Sequence, residues 1–228
     1  MDKSALVDQS PVRSVVLSRD GMLDPNSQPF ELHRLWRGLC SGGYYIRDHF
    51  SSTERHYLVV ERLATSGGEL RFAARRMEAL RRATNGQMQK VIASDARRGL
   101  ATVATDLQQA LLYMGCHLPP SRIPLVLVMA QHAFECPTLN YDARYTELVT
   151  EPQILHVVSM ERPELRLARR LSRTELSVLS LFAEGHSYAE IAEIRGTAIR
   201  TVANQLASTY ERLKISGRSQ LLHYIASC

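Results

Sequence analysis

Between Arg195 and Arg218 the chain carries five basic side chains, Arg195, Arg200, Arg212, Lys214 and Arg218, against one acid, Glu211. That balance gives a local positive potential of the sign that attracts phosphate. Asn204 and Gln205 lie inside the same stretch, and side-chain amides are the groups that pair with base edges in a DNA groove. On a 3.6-residue period, Arg200, Thr201, Ala203, Asn204, Ala207 and Ser208 fall on one side. Val202, Leu206, Thr209 or Tyr210, and Leu213 fall on the other. A helix whose outer side is small, polar and nearly free of acid lets its backbone approach a duplex.

Three further helices must hold such a face in place. The segment from Ser172 to Gly185 spaces Leu176, Leu179, Phe182 and Ala183 for one helix and stops at a glycine suited to a C-cap. Ser172 followed by Glu175 is a capping-box pattern. Ser187 is an N-cap for a second, short helix that buries Ile191 and Ala192 and breaks at Arg195-Gly196-Thr197. The third helix is expected from about Ile199 to Leu213, and a fourth from Arg218 to Ser227.

Leu-Ser-x-x-Glu at 171–175, Gly-x-Ser at 185–187, Glu-Ile-Ala at 190–192, Arg-Gly-Thr-x-x-Arg-Thr-Val-Ala-Asn-Gln at 195–205 and Leu-Lys-Ile-x-x-Arg at 213–218 resemble the LuxR/FixJ-type, GerE-like helix-turn-helix of bacterial transcription regulators. The resemblance implies a double-stranded DNA site made of Ser187, Arg200, Thr201, Ala203, Asn204, Gln205, Ala207, Ser208, Lys214 and Arg218. Asn204 is expected to read a base edge, with Ala203 and Ala207 allowing close approach or touching a thymine methyl. Arg200, Thr201, Lys214 and Arg218 are expected to hold phosphates, and Gln205 to do either. It also implies a homodimer using Leu221, Leu222, Tyr224 and Ile225 of the fourth helix, reading half-sites about 10 bp apart. Three positions depart from the family pattern: Thr174 stands in place of Arg, Ala198 in place of a Ser cap, and Ala203 in place of a common Lys. The last two lower the expected affinity.

Sliding the chain against itself by 99 residues brings a second segment into the same frame. Ala79-Leu80 meets Val178-Leu179, Gly86 meets Gly185, Ile92-Ala93 meets Ile191-Ala192, Thr102-Val103-Ala104 meets Thr201-Val202-Ala203, and Leu107 meets Leu206. This reads as a diverged copy with helices near 72–84, 87–97, 100–114 and 121–134, the last capped by Ser121 with Pro124 in its first turn. Its third helix offers Ala101, Thr105 and Gln108, and sets Asp106 where the other copy has Gln205, an acid expected to face phosphates badly. Arg75, Arg76, Arg81, Arg82, Lys90, Arg97 and Arg98 make its first two helices strongly basic.

Each helical unit is preceded by a hairpin pattern. Phe30 to Leu39 reads as a helix containing Trp36, and Gly42-Gly43 turns it into strands at 44–50 and 55–62. A matching hairpin is expected at 138–150 and 154–160, and one more strand at 12–18, after a loose 1–11. The expected fold is α+β, mostly α. Its divisions are an N-terminal strand, helix and hairpin region (1–66), a degenerate helix-turn-helix unit (67–135), a second hairpin and linker (136–165) and the DNA-binding unit (166–228).

A chain of 228 residues with formal charge +5 suits a core-bearing protein with a polyanion partner. The longest apolar run, Ile123 to Ala130, is too short for a membrane span, and Met-Asp-Lys-Ser is no signal-peptide core, so a cytoplasmic location is expected. Cys40, Cys116, Cys136 and Cys228 have no Cys-x-x-Cys spacing and read as reduced thiols. Cys116, His117, His132 and Cys136 could converge on zinc only awkwardly, since two of them are adjacent, and no cofactor or metal is expected. Arg19-Asp20-Gly21 lacks the acidic pair of a phosphorylated receiver, and Trp36, Tyr45 and Asp48 do not reproduce the spacing of an acyl-homoserine-lactone pocket. Ser41-Gly42-Gly43 is too short for a phosphate loop and no catalytic triad spacing appears, so an enzyme is not expected. The competing function is an interaction protein that binds another transcription factor through both helical units. Such binding helices carry aromatic and aliphatic anchors, which Arg200, Asn204 and Gln205 are not.

Overall fold

The computed structural model describes residues 11–20, 28–63, 73–137, 141–150 and 153–227. Two hairpins, β2 (Tyr44–Ser51) with β3 (Arg55–Arg62) and β4 (Ala143–Thr150) with β5 (Gln153–Glu161), join edge to edge through β3 and β5. With the short β1 (Gln28–Pro29) they form one antiparallel sheet in the order β1-β4-β5-β3-β2. Both hairpins were legible from alternation and turns. Their union in one sheet was not, because pairing between remote strands leaves no local trace.

Period-2 alternation gives the sheet two different faces. Leu58 and Val60 of β3 and Val158 and Met160 of β5 enter the large core that lies among the helices, while Tyr57, Val59, Leu155 and Val157 point to the opposite side. In β2 the register shifts between Ile46 and Asp48. This bulge lets Ile46 join the large core while Phe50 packs on the far side.

The far side is covered by α1 (Pro11–Asp20). Residues 12–18, expected as a strand from their β-branched run, are therefore helical. Val12 and Val16 sit one turn apart on its inner side against Tyr57, Val59 and Phe50, and Pro11 occupies the first helical position, where its missing N–H costs nothing. Arg13 secures the helix with two 2.7 Å bonds to the Asp48 carboxylate. Tertiary packing here overrides strand propensity. Of the segment expected to be loose, 1–11, Pro11 opens α1 instead, and residues 1–10 lie outside the described residues.

On the near face, α2 (Leu32–Cys40) buries Leu32, Leu35, Trp36 and Leu39, a one-sided stripe at helical spacing. The upstream helical segment comprises α3 (Ala74–Thr84), α4 (Gln89–Asp95), α5 (Leu100–Tyr113) and α6 (Leu125–Glu135). α6 starts later than expected. Pro124 stands at its N-cap and Ser121 lies in a separate 3-10 turn, Pro120–Arg122. After β5, a 3-10 segment (Pro163–Arg169) leads to α7 (Arg173–Ala183), α8 (Tyr188–Arg195), α9 (Ile199–Leu213) and α10 (Arg218–Ser227). One continuous core includes residues from both helical segments and the sheet. Among the described residues no helix is long and apolar enough to cross a membrane.

Candidate nucleic-acid interface

Two reciprocal caps start the helices of the C-terminal unit. Ser172 N–H donates to Glu175 Oε2 at 2.9 Å, and Glu175 N–H donates back to Ser172 Oγ at 3.3 Å. Ser187 and Glu190 repeat the arrangement at 2.8 and 3.3 Å, so both helices satisfy N–H groups that would otherwise lack partners. Glu175 also accepts from Arg212 at 3.0 Å. The bonds from Ser172, aided by the Arg212 charge, hold its carboxyl below the usual carboxylate range.

The caps fix α7 and α8 so that α9 can bury only one side. Val178, Leu179, Ile191, Val202 and Leu206 are fully enclosed, with Ala183, Ala192 and Leu213 beside them. Gly196 ends α8 in the left-handed region, at φ 61°, where glycine carries no Cβ penalty. Three residues later α9 begins. Its N-cap position is Ala198, which supplies no side-chain acceptor, so its first N–H groups remain available to a phosphate.

The expected outer face is the outer face. Arg200, Thr201, Asn204, Ala207 and Ser208 are exposed and Ala203 is half-buried. Gln205 lies on the flank, half-buried, with Oε1 enclosed and without a hydrogen-bond partner. Ser187 is exposed, but its hydroxyl donates to Glu190 at 2.8 Å and is engaged in the cap. Lys214 is exposed and closes α9 in a left-handed turn at φ 57°.

Arg218 is a correction. Its guanidinium turns inward and donates to the Ala183 carbonyl at 3.3 Å, and burial pulls its pKa down despite the neighbouring Tyr210. It joins α10 to α7 instead of facing a groove. Two more of the five cations are also committed: Arg212 to Glu175, and Arg195 to Ser177 Oγ at 2.6 Å. Arg200 and Lys214 are the exposed cations of this face not engaged in such a bond, while Arg212 is exposed as well as paired.

The dimer face is a second correction. Leu221, Leu222 and Ile225 are at most 1 % exposed within the single chain, because α10 is sealed into the core shared with the upstream segment. Tyr224 is half-buried, and Arg170 both bonds to its hydroxyl and lies 5.9 Å from its ring centre. The helical period told which residues were apolar but not whether this chain or another would cover them.

Asp106 is a third correction. It is 3 % exposed and is held by Arg98, with Arg75 and Arg76 at 3.5 and 3.6 Å. Three guanidinium groups surround one carboxylate, so no acid projects from α5 and the local excess is positive. Arg98 precedes Asp106 by eight residues and Arg75 and Arg76 come from α3, so only the tertiary fold could reveal this neutralisation.

Sequence reasoning also missed what braces the C-terminal unit from outside. Arg122, in the 3-10 turn before α6, forms an ion pair with Glu190 of the α8 cap. Ser219 at the start of α10 bonds to the Asn85 carbonyl after α3.

Elsewhere, His56, Glu164 and Glu184 are close enough to share a cation among the described residues. A cation already lies there, since Arg162 donates to Glu164 at 2.8 Å and approaches Glu184 at 3.6 Å. Burial would push the Glu164 carboxyl up, but the bond with His56 and the Arg162 charge outweigh it and hold it low. The four residues considered for zinc are not gathered: His117 faces Tyr45, His132 faces the His223 ring, Cys116 is buried and Cys136 exposed. Trp36 and Asp48 are likewise kept apart, Trp36 in the large core and Asp48 against α1.

Two capped helices and a third that presents one small polar face, closed by a fourth helix, have the arrangement of a helix-turn-helix unit. Residues 169–225 match the family model of bacterial regulatory proteins, luxR family. No curated protein and no solved structure matches the chain.

Proposed function

We propose that the chain is a sequence-specific DNA-binding transcription regulator of the bacterial cytoplasm, reading a major groove with α9. The carrying observation is the exposed face of Arg200, Thr201, Asn204, Ala207 and Ser208, set on a helix whose opposite side is completely buried. Asn204 reads a base edge, and Ala203 and Ala207 keep the backbone close. Arg200, Lys214, Thr201 and the uncapped start of α9 hold phosphates, with Ser208 and Ser187 at the margins of the contact.

The same reading takes residues 74–135 as a diverged copy of the C-terminal unit. Its support is the displacement of whole elements by 99 residues: Ala74–Thr84 to Arg173–Ala183, the starts of α4 and α5 to those of α8 and α9, and Tyr44–Ser51 to Ala143–Thr150. Element bounds coincide far better than side chains do, which is how a repeat under relaxed sequence constraint diverges.

Titration of labelled random-sequence duplex at rising salt tests the reading. Retention should fall with a log–log slope of about 0.9 per phosphate neutralised, and Lys214→Ala should lower that slope by about one. Salt-independent retention, or none, would favour the binding of another protein through these helices.

A further inference from the structure

We propose that one chain is a complete internal pseudo-dimer, in which the upstream unit fills the place of a second protomer and α5 meets a half-site adjacent to that of α9. This rests on the DNA-binding reading above and adds the stoichiometry and the second contact surface.

The sheet supplies the symmetry. Exchange of the two halves swaps β2 with β4 and β3 with β5, and the order β4-β5-β3-β2 is unchanged when so exchanged and reversed. The central pairs obey the same operation. Leu58 faces Val158 on the core side, and a two-fold axis through this rung turns Val60 facing His156 into Met160 facing His56, which is an observed rung, so that β3 and β5 correspond at one residue more than the 99-residue displacement of the helices. A rotation that exchanges two neighbouring antiparallel strands must have its axis normal to the sheet, because only that rotation reverses strand direction and keeps each face on its own side. Both helical units must therefore lie on one face of the sheet. They do, since residues of α3 to α10 share the core on the side of Leu58 and Val158.

The contacts between the halves are reciprocal in kind. The segment leading into α6 reaches the second unit through Arg122 and Glu190, and the start of α10 reaches the first through Ser219 and Asn85 at 2.7 Å. Gly86 allows that approach, because a Cβ there would lie 2.4 Å from the Ser219 Cα. The stretch that opens the fourth helix of each unit thus reaches the region around the start of the second helix in the other, and Leu221, Leu222 and Ile225 are buried within the single chain. A second chain has no apolar α10 face left to use.

The α5 surface suits phosphate more than bases. Ala101, Thr102, Thr105 and Gln109 are exposed, so the helix is as slim on its outer side as α9. Thr105 occupies the position of Asn204, but its hydroxyl is spent on the Ala101 carbonyl at 2.9 Å. Arg75 is exposed beside it even while it lies 3.5 Å from Asp106, and Lys90 is exposed in the first turn of α4, while Asp106 is buried. One half-site is therefore read by α9, and the other is held with little sequence preference.

The test measures, on the full chain bound to a selected duplex, the mass of the complex and the length protected from nuclease. The expected result is one chain per duplex protecting about 20 bp, two half-sites in length, with an informative sequence on one side. Arg75→Glu and Lys90→Glu should each weaken binding by about tenfold at moderate salt and remove protection on the other side, leaving the selected motif unchanged. Two chains per duplex on a symmetric motif, or wild-type affinity and protection in both variants, would overturn the pseudo-dimer and leave the role of α9 intact. Absence of DNA binding by the wild-type chain would overturn both.

Discussion

The Ser219 hydroxyl donates a 2.7 Å hydrogen bond to the carbonyl of Asn85, across 134 residues of chain. Gly86, the next residue, has φ 79° and no room for a side chain against Ser219. Gly86→Ala combines left-handed strain with a backbone clash and should destabilise the chain by more than about 1 kcal/mol. Thermal unfolding measures it. An unchanged melting temperature would mean that α10 does not dock on the α3–α4 turn.

On the proposed reading Arg218 is a structural cation and Lys214 a DNA-facing one, and two variants separate them. Arg218→Met should reduce stability, because the Ala183 carbonyl loses its donor, while leaving the salt slope of DNA binding unchanged. Lys214→Ala should do the reverse. Paired denaturation and salt titration of the two variants check the assignment, and a lowered slope in Arg218→Met would return that residue to the interface.

Asp106 should be needed for folding. Asp106→Ala leaves Arg98, Arg75 and Arg76 facing one another, and loss of charge-assisted bonds of this kind costs about 1–3 kcal/mol. Denaturant midpoints at fixed slope give the value. A neutral or stabilising effect would show that the arginines find solvent without it.

Acid should destabilise the chain in two stages. Burial holds the pKa values of His132, His156 and His186 below their ordinary 6.5, outweighing the carboxylates of Glu135, Glu147 and Glu184 that raise them. The unfolded chain therefore takes up protons first as pH falls through 6.5, and stability declines with it. Glu164 and Glu175 lie below their ordinary 4.5. Their contributions are complete above that value and are lost as pH falls through the lower folded values. Stability curves should bend twice, and Glu164→Gln should flatten the second bend.

The C-terminal unit was legible because its information is local: the Ser172–Glu175 capping box, the Ser187 cap, Gly196 and the apolar stripe of α9 each act within a few residues. The hairpins and most upstream helices were legible for the same reason. What could not be read depends on partners remote in sequence. Val12 and Val16 became helical because the far side of the sheet needed cover, Arg218 turned to Ala183, and Leu221 and Ile225 were covered by this chain's own core. At the site, the identity of the exposed α9 residues was readable, whereas the number of cations remaining on that face was not. Arg195 and Arg212 had to be seen bonded to Ser177 and Glu175 before being removed from the count.

Selection of bound sequences from a random duplex pool, with wild type and Asn204→Ala in parallel, tests base reading by α9 most directly. The account predicts an enriched motif for wild type that is degraded at one position in Asn204→Ala, with a cost of about 1–3 kcal/mol on the preferred sequence. The same motif at the same strength from both proteins would contradict it.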